Sequence, residues 1–330
     1  HYDKILRGLD IDEETLKKVI HEITMLNPKP GSSWGGSMEV AMSQIIPDFV
    51  VEAHNGELIL SMNNRGVPDM RINREYAEIA KKTFDIVLSK VDNPKGKWNK
   101  LHPGTRNLKG FALPMILCNL ALEIEHLLDE DFMVKTMDTC IHEVMDVFLR
   151  PELGGLIVET LNADNTLVDC FEGRHMNPGH AIEAMWFIMD LGKRLNRPEL
   201  VVKAKDTALK MLEYGWDKEY GGIFYFMDRN GCPPQELEWD QKLWWVHIET
   251  LISTIKGYRL TGDPKCLEWF ERIHDYTWSH FKDTEHPEWF GYLNRRGEVL
   301  LPLKGGKWKG CFHLPRGLYQ CWQVLEELSK

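Results

Sequence analysis

The sequence predicts a mainly α-helical protein, in which a small helix-plus-hairpin segment precedes a larger helical part. Two observations support this prediction. From about Tyr76 onward, segment after segment carries apolar residues at helical spacing, and the connections are short or rich in Gly and aromatic residues. Helical pairs stacked in series are typical of an α/α solenoid or a closed α/α toroid, although no strict sequence repeat is present.

Residues 1–75 form the smaller segment. Their apolar residues between 12 and 26 recur at helical spacing, which predicts an amphipathic helix. Residues 44–63 alternate between apolar and polar around His54-Asn55-Gly56, which predicts a hairpin with its turn at Asn-Gly. Residues 27–37 are rich in Gly, Pro and Ser and are expected to be loop.

The larger part, residues 76–330, contains eight segments with the helical apolar pattern. They are residues 74–91, 113–128, 131–149, 178–195, 198–215, 242–260, 263–281 and 315–329. Two of the connections, residues 217–233 and 288–300, combine Gly with aromatic and β-branched residues and are expected to form short hairpins.

Composition excludes several classes of protein. The net charge is −10 and no long Lys/Arg cluster occurs, which argues against direct DNA binding and fits a small, uncharged ligand. No apolar run approaches the roughly 20 residues that span a bilayer, and the polar start lacks a signal-peptide core. Seven cysteines without a CxxC pair argue against a disulfide framework and favour a reduced, cytoplasmic compartment.

The motif "RHMNPGHAIEAMWF" (174–187) offers acid/base chemistry. Asn177 is a good N-cap and Pro178 a good first helical residue, so His180 is expected in the first turn with Glu183 one turn further on. The helix dipole should keep His180 neutral as a base, and Glu183 could orient its ring. The alternative is a structural histidine that only satisfies a local hydrogen bond.

The residues also bear on metal, nucleotide and sugar binding. The histidines are scattered and no HxxxH or HExxH occurs, so no metal site is expected. The stretch "DNPKGKWNK" (92–100) lacks the spacing of a P-loop, and a solvated charged turn is an equal alternative to a binding loop. The 12 tryptophans and nine tyrosines either fill the core or form walls that stack on sugar rings.

Residues of about 75–330 resemble the N-acylglucosamine 2-epimerase family, also called renin-binding protein. The resemblance rests on six long motifs that occur in order: residues 93–106, 173–187, 216–228, 237–249, 286–299 and 303–316. It implies an (α/α)6 barrel with its site at one mouth. The family has several further N-terminal helices, one of which supplies a substrate-contacting arginine, so the barrel here is expected to be incomplete.

The resemblance implies an isomerase that interconverts N-acetylglucosamine and N-acetylmannosamine. Such an enzyme removes the C2 proton of the opened sugar and replaces it from the other face, which requires two opposed bases. His180 and His313 match the two bases of the family, and Glu249 matches a further active-site carboxylate. Cys311 matches a cysteine linked with activity in some members, although an inert thiol is at least as plausible for it.

Other residues of these motifs are candidate ligand contacts. Arg174 and Asn177 belong to the first histidine motif, and the aromatic candidates for stacking on a sugar are Trp186, Trp245 and Trp308. His247 ranks lower, because two residues along a helix turn it about 200° away from Glu249. No cofactor is expected to be consumed.

The resemblance also assigns a nucleotide loop, in which ATP is an allosteric activator. Its candidate residues are Lys95, Gly96, Lys97 and Lys100.

Residues 1–75 resemble part of the core-polymerase-binding region of the bacterial sigma-54 factor. Four stretches carry the likeness: residues 19–36, 45–51, 55–64 and 67–79. The promoter-binding helix-turn-helix of that factor is absent, so this segment implies contact with core RNA polymerase without promoter recognition. Two functions remain open, a sugar epimerase and a polymerase-binding module. The exposed apolar faces of an incomplete toroid also favour pairing with a second copy as a homodimer.

Overall fold

The structure is a computed structural model that describes residues 5, 6, 8, 12–25, 49–54, 57–62, 74–90 and 108–330. The chain divides into two compact units, His1–Arg71 and Ile72–Lys330. Each unit is described by itself below. Among the described residues, no helix is both long and apolar enough to cross a membrane.

The first unit contains the predicted helix and hairpin. Helix α1 spans Glu13–Met25, and the backbone N–H of Thr15 donates to Asp12 Oδ1 over 2.7 Å at its start. Strand β1 (Phe49–His54) pairs antiparallel with β2 (Glu57–Met62), with His54 opposite Glu57. The strands of the predicted hairpin are therefore present, and its predicted turn at Asn55-Gly56 lies outside the described residues.

The second unit consists of helices joined by short strands. Its helices are α2 (Arg74–Leu88), α3 (Ala112–Ile124), α4 (Glu130–His142), α5 (Phe171–Arg174), α6 (Pro178–Arg194), α7 (Pro198–Gly215), α8 (Trp244–Thr261), α9 (Pro264–His280) and α10 (His313–Leu328). Its strands are β3 (Leu108–Gly110), β4 (Leu149–Arg150), β5 (Leu156–Ile157), β6 (Thr160–Asn162), β7 (His175–Met176), β8 (Met227–Asp228), β9 (Lys242–Leu243), β10 (Tyr292–Leu293) and β11 (Val299–Leu301).

Helices α6 and α8 form the centre of this unit. Both are buried along most of their length, and α6 packs against α3, α7 and α8 while α8 packs against α7, α9 and α10. The polar side chains of a helix that is buried on nearly all sides need hydrogen-bond partners within the protein. Accordingly, the Thr250 hydroxyl donates to the Val246 carbonyl over 2.7 Å, and Thr254 donates to the Thr250 carbonyl over 2.8 Å.

Two glycines let elements approach the centre closely. A Cβ at position 179 would lie 2.7 Å from Trp245 Cη2, and one at position 317 would lie 2.2 Å from Ile248 Cγ1. Contacts of this length do not occur between real side chains, so larger residues would push α6 and α10 away from α8. The glycines in "NPGH" and "PRG" therefore bring the first turns of both helices against α8.

All eight predicted helices of this unit are present, with one difference at the end of α4. There the segment continues as a π-helical turn, Glu143–Phe148, before it enters β4. The 288–300 hairpin is confirmed, because β10 pairs antiparallel with β11. The 217–233 stretch differs from the prediction: Trp216 and Ile223 form an isolated bridge, and β8 pairs with β7 from the histidine motif.

One side of α10 carries exposed apolar residues at helical spacing. Trp322 is 54% exposed, and the same stripe includes Leu318, Tyr319, Leu325 and Leu328. The other side of α10 packs on α8 through residues such as Leu314 and Val324. Part of the apolar surface of α10 therefore remains exposed when the helix packs in this unit.

Candidate active site

His180 lies in the first turn of α6, as the sequence predicted. The Asn177 side chain caps the helix by accepting the backbone N–H of His180 over 3.2 Å, and Pro178 is the first helical residue. Asn177 is itself buried, so its role here is to fix the start of α6 rather than to face a ligand. The His180 side chain remains 30% exposed.

The partner of His180 is Glu159, not Glu183. His180 Nδ1 lies 3.2 Å from Glu159 Oε2, and Glu159 stands in the connection between β5 and β6. Burial lowers the pKa of His180, but the charge and hydrogen bond of Glu159 and the charge of Glu183 outweigh it and raise the pKa. This direction is opposite to the one expected from the helix dipole, because the neighbouring carboxylates favour the charged imidazolium.

His313 shows a similar arrangement and also lies beside Trp245. It is the first residue of α10, its side chain is 24% exposed, and its Nδ1 lies 2.7 Å from Glu249 Oε1. The Trp245 ring lies close to both histidines, with ring centroids 5.3 Å from His180 and 5.7 Å from His313. Residues 133 positions apart in sequence thus form two histidine–carboxylate pairs at one indole ring.

Glu249 is the buried centre of this cluster. Its Oε1 also accepts from Arg316 Nη2 over 2.6 Å, and its Oε2 accepts from the indole N–H of Trp186 over 2.9 Å. A carboxylate that is removed from water needs such donors to remain charged. Both oxygens of Glu249 are occupied, so this residue is suited to hold His313 and Arg316 in place.

Arg316 was not among the residues predicted from the sequence. Its Nη2 bridges Glu249 and Glu183, the latter over 3.1 Å, and its guanidinium lies over the rings of Trp186 and Phe312. Burial lowers the pKa of Arg316, but the charges of the two carboxylates outweigh it and raise the pKa. The sequence "HLPR" places Arg316 three residues after His313 on the same helix. This spacing could have identified Arg316 as a neighbour of His313.

Glu183 is the second buried carboxylate of the cluster. Burial and the charge of Glu249 raise its pKa to about 7, although His313, Arg316 and His180 act in the opposite direction. Its proton is therefore exchangeable near neutral pH, which is a property of general acids and bases. Glu183 was predicted to orient His180, but Glu159 makes that contact. The distinctive property of Glu183 is its raised pKa.

Among the described residues, Glu183, Glu249 and His313 form a group whose donor atoms lie within 4.8 Å of one another, close enough to hold a metal ion. The guanidinium of Arg316 already contacts both carboxylates. A divalent ion at this point would have to displace or repel that cation. The cluster is therefore built around an arginine.

His247 is a structural histidine. It is fully buried, its Nδ1 lies 2.7 Å from the Leu243 carbonyl, and its Nε2 accepts the backbone N–H of Ile223 over 3.0 Å. These partners require the neutral Nδ1–H tautomer, and burial lowers the pKa of His247 to about 3. Its lower ranking as a substrate contact agrees with this position.

The remaining predicted contacts differ in their burial and in their partners. Trp186 is buried beneath Arg316, so it supports the site rather than forming a wall. Trp308 is 73% exposed, and Cys311 is an exposed free thiol. Arg174 is engaged with Asp228 and Asp169. The predicted nucleotide loop, residues 95–100, lies outside the described residues.

Comparison with known proteins agrees with the sequence motifs. The profile of the N-acylglucosamine 2-epimerase (GlcNAc 2-epimerase) family matches residues 71–314, which is most of the chain. The chain belongs to the N-acylglucosamine 2-epimerase family. Among its relatives are the N-acylglucosamine 2-epimerases of Mus musculus, 39% identical over 260 residues, and of Rattus norvegicus, 38% identical over 264 residues.

The match covers 77% of this chain but 61% of the mouse protein, so the chain spans less than two thirds of its curated relatives. Solved structures similar to this member of the epimerase family include a D-mannose isomerase and the cellobiose 2-epimerase of Bacillus thermoamylovorans. Each aligns with a TM-score of 0.62 at 18% identity, over 77% of this chain and 66% of the other. The fold is therefore that of the (α/α)6 barrel proteins.

The first unit matches a different family. Residues 1–76 match the core binding domain of the sigma-54 factor. Over 76 residues the chain is 34% identical to the RNA polymerase sigma-54 factor of Azotobacter vinelandii. The matched residues make up 14% of that protein. The chain thus joins an epimerase-family part to a sigma-54-like part, as the sequence indicated.

Proposed function

We propose that the helical unit is a sugar 2-epimerase that interconverts N-acetylglucosamine and N-acetylmannosamine. The observation that supports it most directly is the pair of histidines beside Trp245, each held at Nδ1 by a carboxylate. This leaves the Nε2 atom of each ring for proton transfer. An inversion at carbon needs two proton carriers on opposite faces, and the cluster offers two.

The proposed reaction begins with the open-chain sugar, whose aldehyde makes the C2 proton acidic. One histidine takes the proton from C2, the C2–H bond breaks, and its electron pair passes toward the aldehyde oxygen. The second histidine then donates a proton to the opposite face of C2 and restores the aldehyde. The first histidine begins neutral and ends protonated, and the second begins protonated and ends neutral. Proton exchange with solvent restores both rings, and no redox cofactor is consumed.

The neighbouring groups support this proposal by charge. The cation of Arg316 lies between Glu183 and Glu249, where it offsets the negative charge that a developing enediolate would otherwise meet. The pKa of Glu183, about 7, suits a group that exchanges a proton during ring opening, and this is the role proposed for it. The indole of Trp245, next to both histidines, is proposed as the apolar surface for the sugar.

The test uses the full chain with N-acetylglucosamine in deuterated water. Proton NMR should show N-acetylmannosamine appearing with deuterium at C2, because the donated proton comes from a histidine that exchanges with solvent. Product that keeps its original hydrogen at C2 would contradict proton transfer. The absence of any epimer would contradict the proposed activity of this chain.

ATP as an allosteric activator is a further part of the proposal, supported by the matching stretch "NPKGKWNK" alone. Replacing Lys95, Lys97 and Lys100 with Ala should abolish stimulation by ATP and leave the unstimulated rate in place. The rate with and without ATP measures this. Stimulation at the wild-type level in the variant would show that the loop is only a charged turn.

A second function is favoured by the sigma-54 match of residues 1–76. We propose that this unit binds bacterial core RNA polymerase without contacting promoter DNA. The full chain, immobilised, should retain core polymerase in the absence of DNA. A full chain in which residues 1–71 are scrambled serves as the control, and equal retention by both would overturn the proposal.

A further inference from the structure

Glu159 occupies a position that no sequence motif singled out. We propose that Glu159 is the positioning residue of His180: it holds Nδ1 and thereby presents Nε2 to the C2 proton of the sugar. This inference rests on the proposed epimerase function, which it extends by one residue.

The backbone around Glu159 is fixed on both sides. The Glu159 carbonyl accepts the backbone N–H of Phe111 over 2.9 Å, and the N–H of Val158 donates to the Phe148 carbonyl over 3.2 Å. Immediately after it, β6 pairs with β3 through Thr160 and Gly110. A side chain on such a backbone has few alternative positions, so Glu159 can orient a neighbour with little motion.

The contact itself selects one arrangement of the imidazole. A carboxylate accepts only, so the Nδ1 that faces Glu159 Oε2 at 3.2 Å must carry a hydrogen. In the neutral ring, Nε2 then has the free lone pair that a base requires. Without Glu159 the hydrogen could sit on either nitrogen, and the base would be correctly oriented for only part of the time.

The second histidine supports this reading by its similar arrangement. His313 Nδ1 faces Glu249 Oε1 at 2.7 Å, so both candidate bases are held at Nδ1 by a carboxylate. The two carboxylates differ in their surroundings. Glu249 is buried and shared with Arg316 and Trp186, whereas Glu159 is 13% exposed at the wall of a cavity of about 560 Å³.

The neighbouring cavity also supplies a matched control. His175 and Glu236 line the same cavity and form their own pair, with His175 Nδ1 3.1 Å from Glu236 Oε2. Replacing Glu236 removes a carboxylate from the cavity wall without touching His180. Glu159→Gln and Glu236→Gln therefore change the same charge in the same cavity, and only the first removes the partner of His180.

The first arm of the experiment is independent of activity. NMR titration of the histidines in the full chain should show the midpoint of His180 falling in Glu159→Gln, because the charge that favours the imidazolium is lost. The Nδ1–H tautomer signature of the neutral ring should weaken in the same variant. In Glu236→Gln both should stay as in the wild type. An unchanged midpoint and tautomer in Glu159→Gln would overturn the inference.

The second arm is kinetic. Glu159→Gln should lower kcat by about 10- to 100-fold with little change in KM, and the acidic limb of the kcat profile should move to lower pH. Glu236→Gln should keep the wild-type profile. A loss that appears in KM alone, with an unmoved profile, would overturn the inference.

The two arms separate the inference from the function on which it rests. If the wild-type chain produces no epimer while the His180 midpoint still depends on Glu159, the proposed function fails and the His180–Glu159 positioning stands as a structural fact. If the wild type epimerises and Glu159→Gln matches it in rate and titration, the inference alone fails.

Discussion

At the scale of single residues, the site is a set of charges that compensate one another out of water. Arg316 lies between two buried carboxylates, and each histidine has a carboxylate at Nδ1. Because removing one member of such a set leaves another unpaired, substitutions should alter both ionisation and stability. The ionisation of Glu183 can be followed most easily, because its pKa of about 7 lies near neutrality.

The first prediction concerns Glu183→Gln. The folded-state pKa of about 7 lies above the usual value of 4.5, so between these values the folded state binds more protons than the unfolded state. The free energy of unfolding contributed by Glu183 therefore falls as pH rises through this window, on the order of 3 kcal/mol in total. Urea unfolding at pH 5.0 and pH 7.5 should show the variant gaining stability relative to wild type at the higher pH.

The exposed Glu213→Gln on α7 is the control and should show no such pH-dependent difference. If Glu183→Gln keeps the same difference from wild type at both pH values, Glu183 is an ordinary charged carboxylate and the proposed proton exchange near neutral pH loses its support.

Sequence reasoning reached some of these residues and not others for physical reasons. His180 and Asn177 follow from local capping rules, and His313 and Glu249 from resemblance to a family. Glu159 meets His180 only because β3 and β6 pair, and no local pattern predicts that pairing. Residues brought together by long-range pairing are thus the ones that single-sequence reasoning misses.

At the scale of elements, α6 determines where His180 stands. Its first turn is fixed by the Asn177 cap and by the contact of Gly179 with Trp245. Apolar periodicity predicted this helix and its seven neighbours, because periodicity records which face is buried. It could not predict that β8 pairs with β7, since two-residue strands leave no periodic signal.

The second prediction therefore addresses the cap. Asn177→Ala should lower the free energy of unfolding by about 1 kcal/mol, because the backbone N–H of His180 loses its acceptor. It should also lower kcat, since the first turn that carries His180 is then free to fray. Asn177→Ser retains an acceptor at the cap and should restore most of both properties. Urea unfolding and initial rates measure them.

The two Asn177 variants also separate capping from ligand contact. If the serine variant recovers stability but not activity, the amide of Asn177 is needed for more than the cap, and its predicted role as a substrate contact would return. Equal stability of wild type and Asn177→Ala would contradict the capping account.

At the scale of the whole chain, the second unit leaves apolar surface on its last helix. The stripe on α10 that contains Tyr319, Trp322 and Leu325 is exposed, and exposed apolar stripes of this kind favour association. The chain also covers only 61% of the mouse relative, so part of that protein has no counterpart in the match. Pairing with a second copy remains the prediction made from the sequence.

The third prediction tests this association. Sedimentation velocity of the full chain over a range of concentrations should show self-association, and Trp322→Gln combined with Leu325→Gln should weaken it by at least about tenfold. Leu237→Gln, at a loop residue that is 93% exposed, is the control and should leave association unchanged. A wild-type chain that stays monomeric throughout, or equal association of both variants, would contradict the prediction.

The central claim is that His180 and His313 each serve one face of C2. It is tested most directly by incubating His180→Asn and His313→Asn separately with N-acetylglucosamine and with N-acetylmannosamine in deuterated water. Each variant should lose epimerisation by at least about 100-fold and still exchange the C2 hydrogen of one sugar only, a different sugar for each variant. Near wild-type epimerisation by both variants, or exchange of the same sugar by both, would contradict the account.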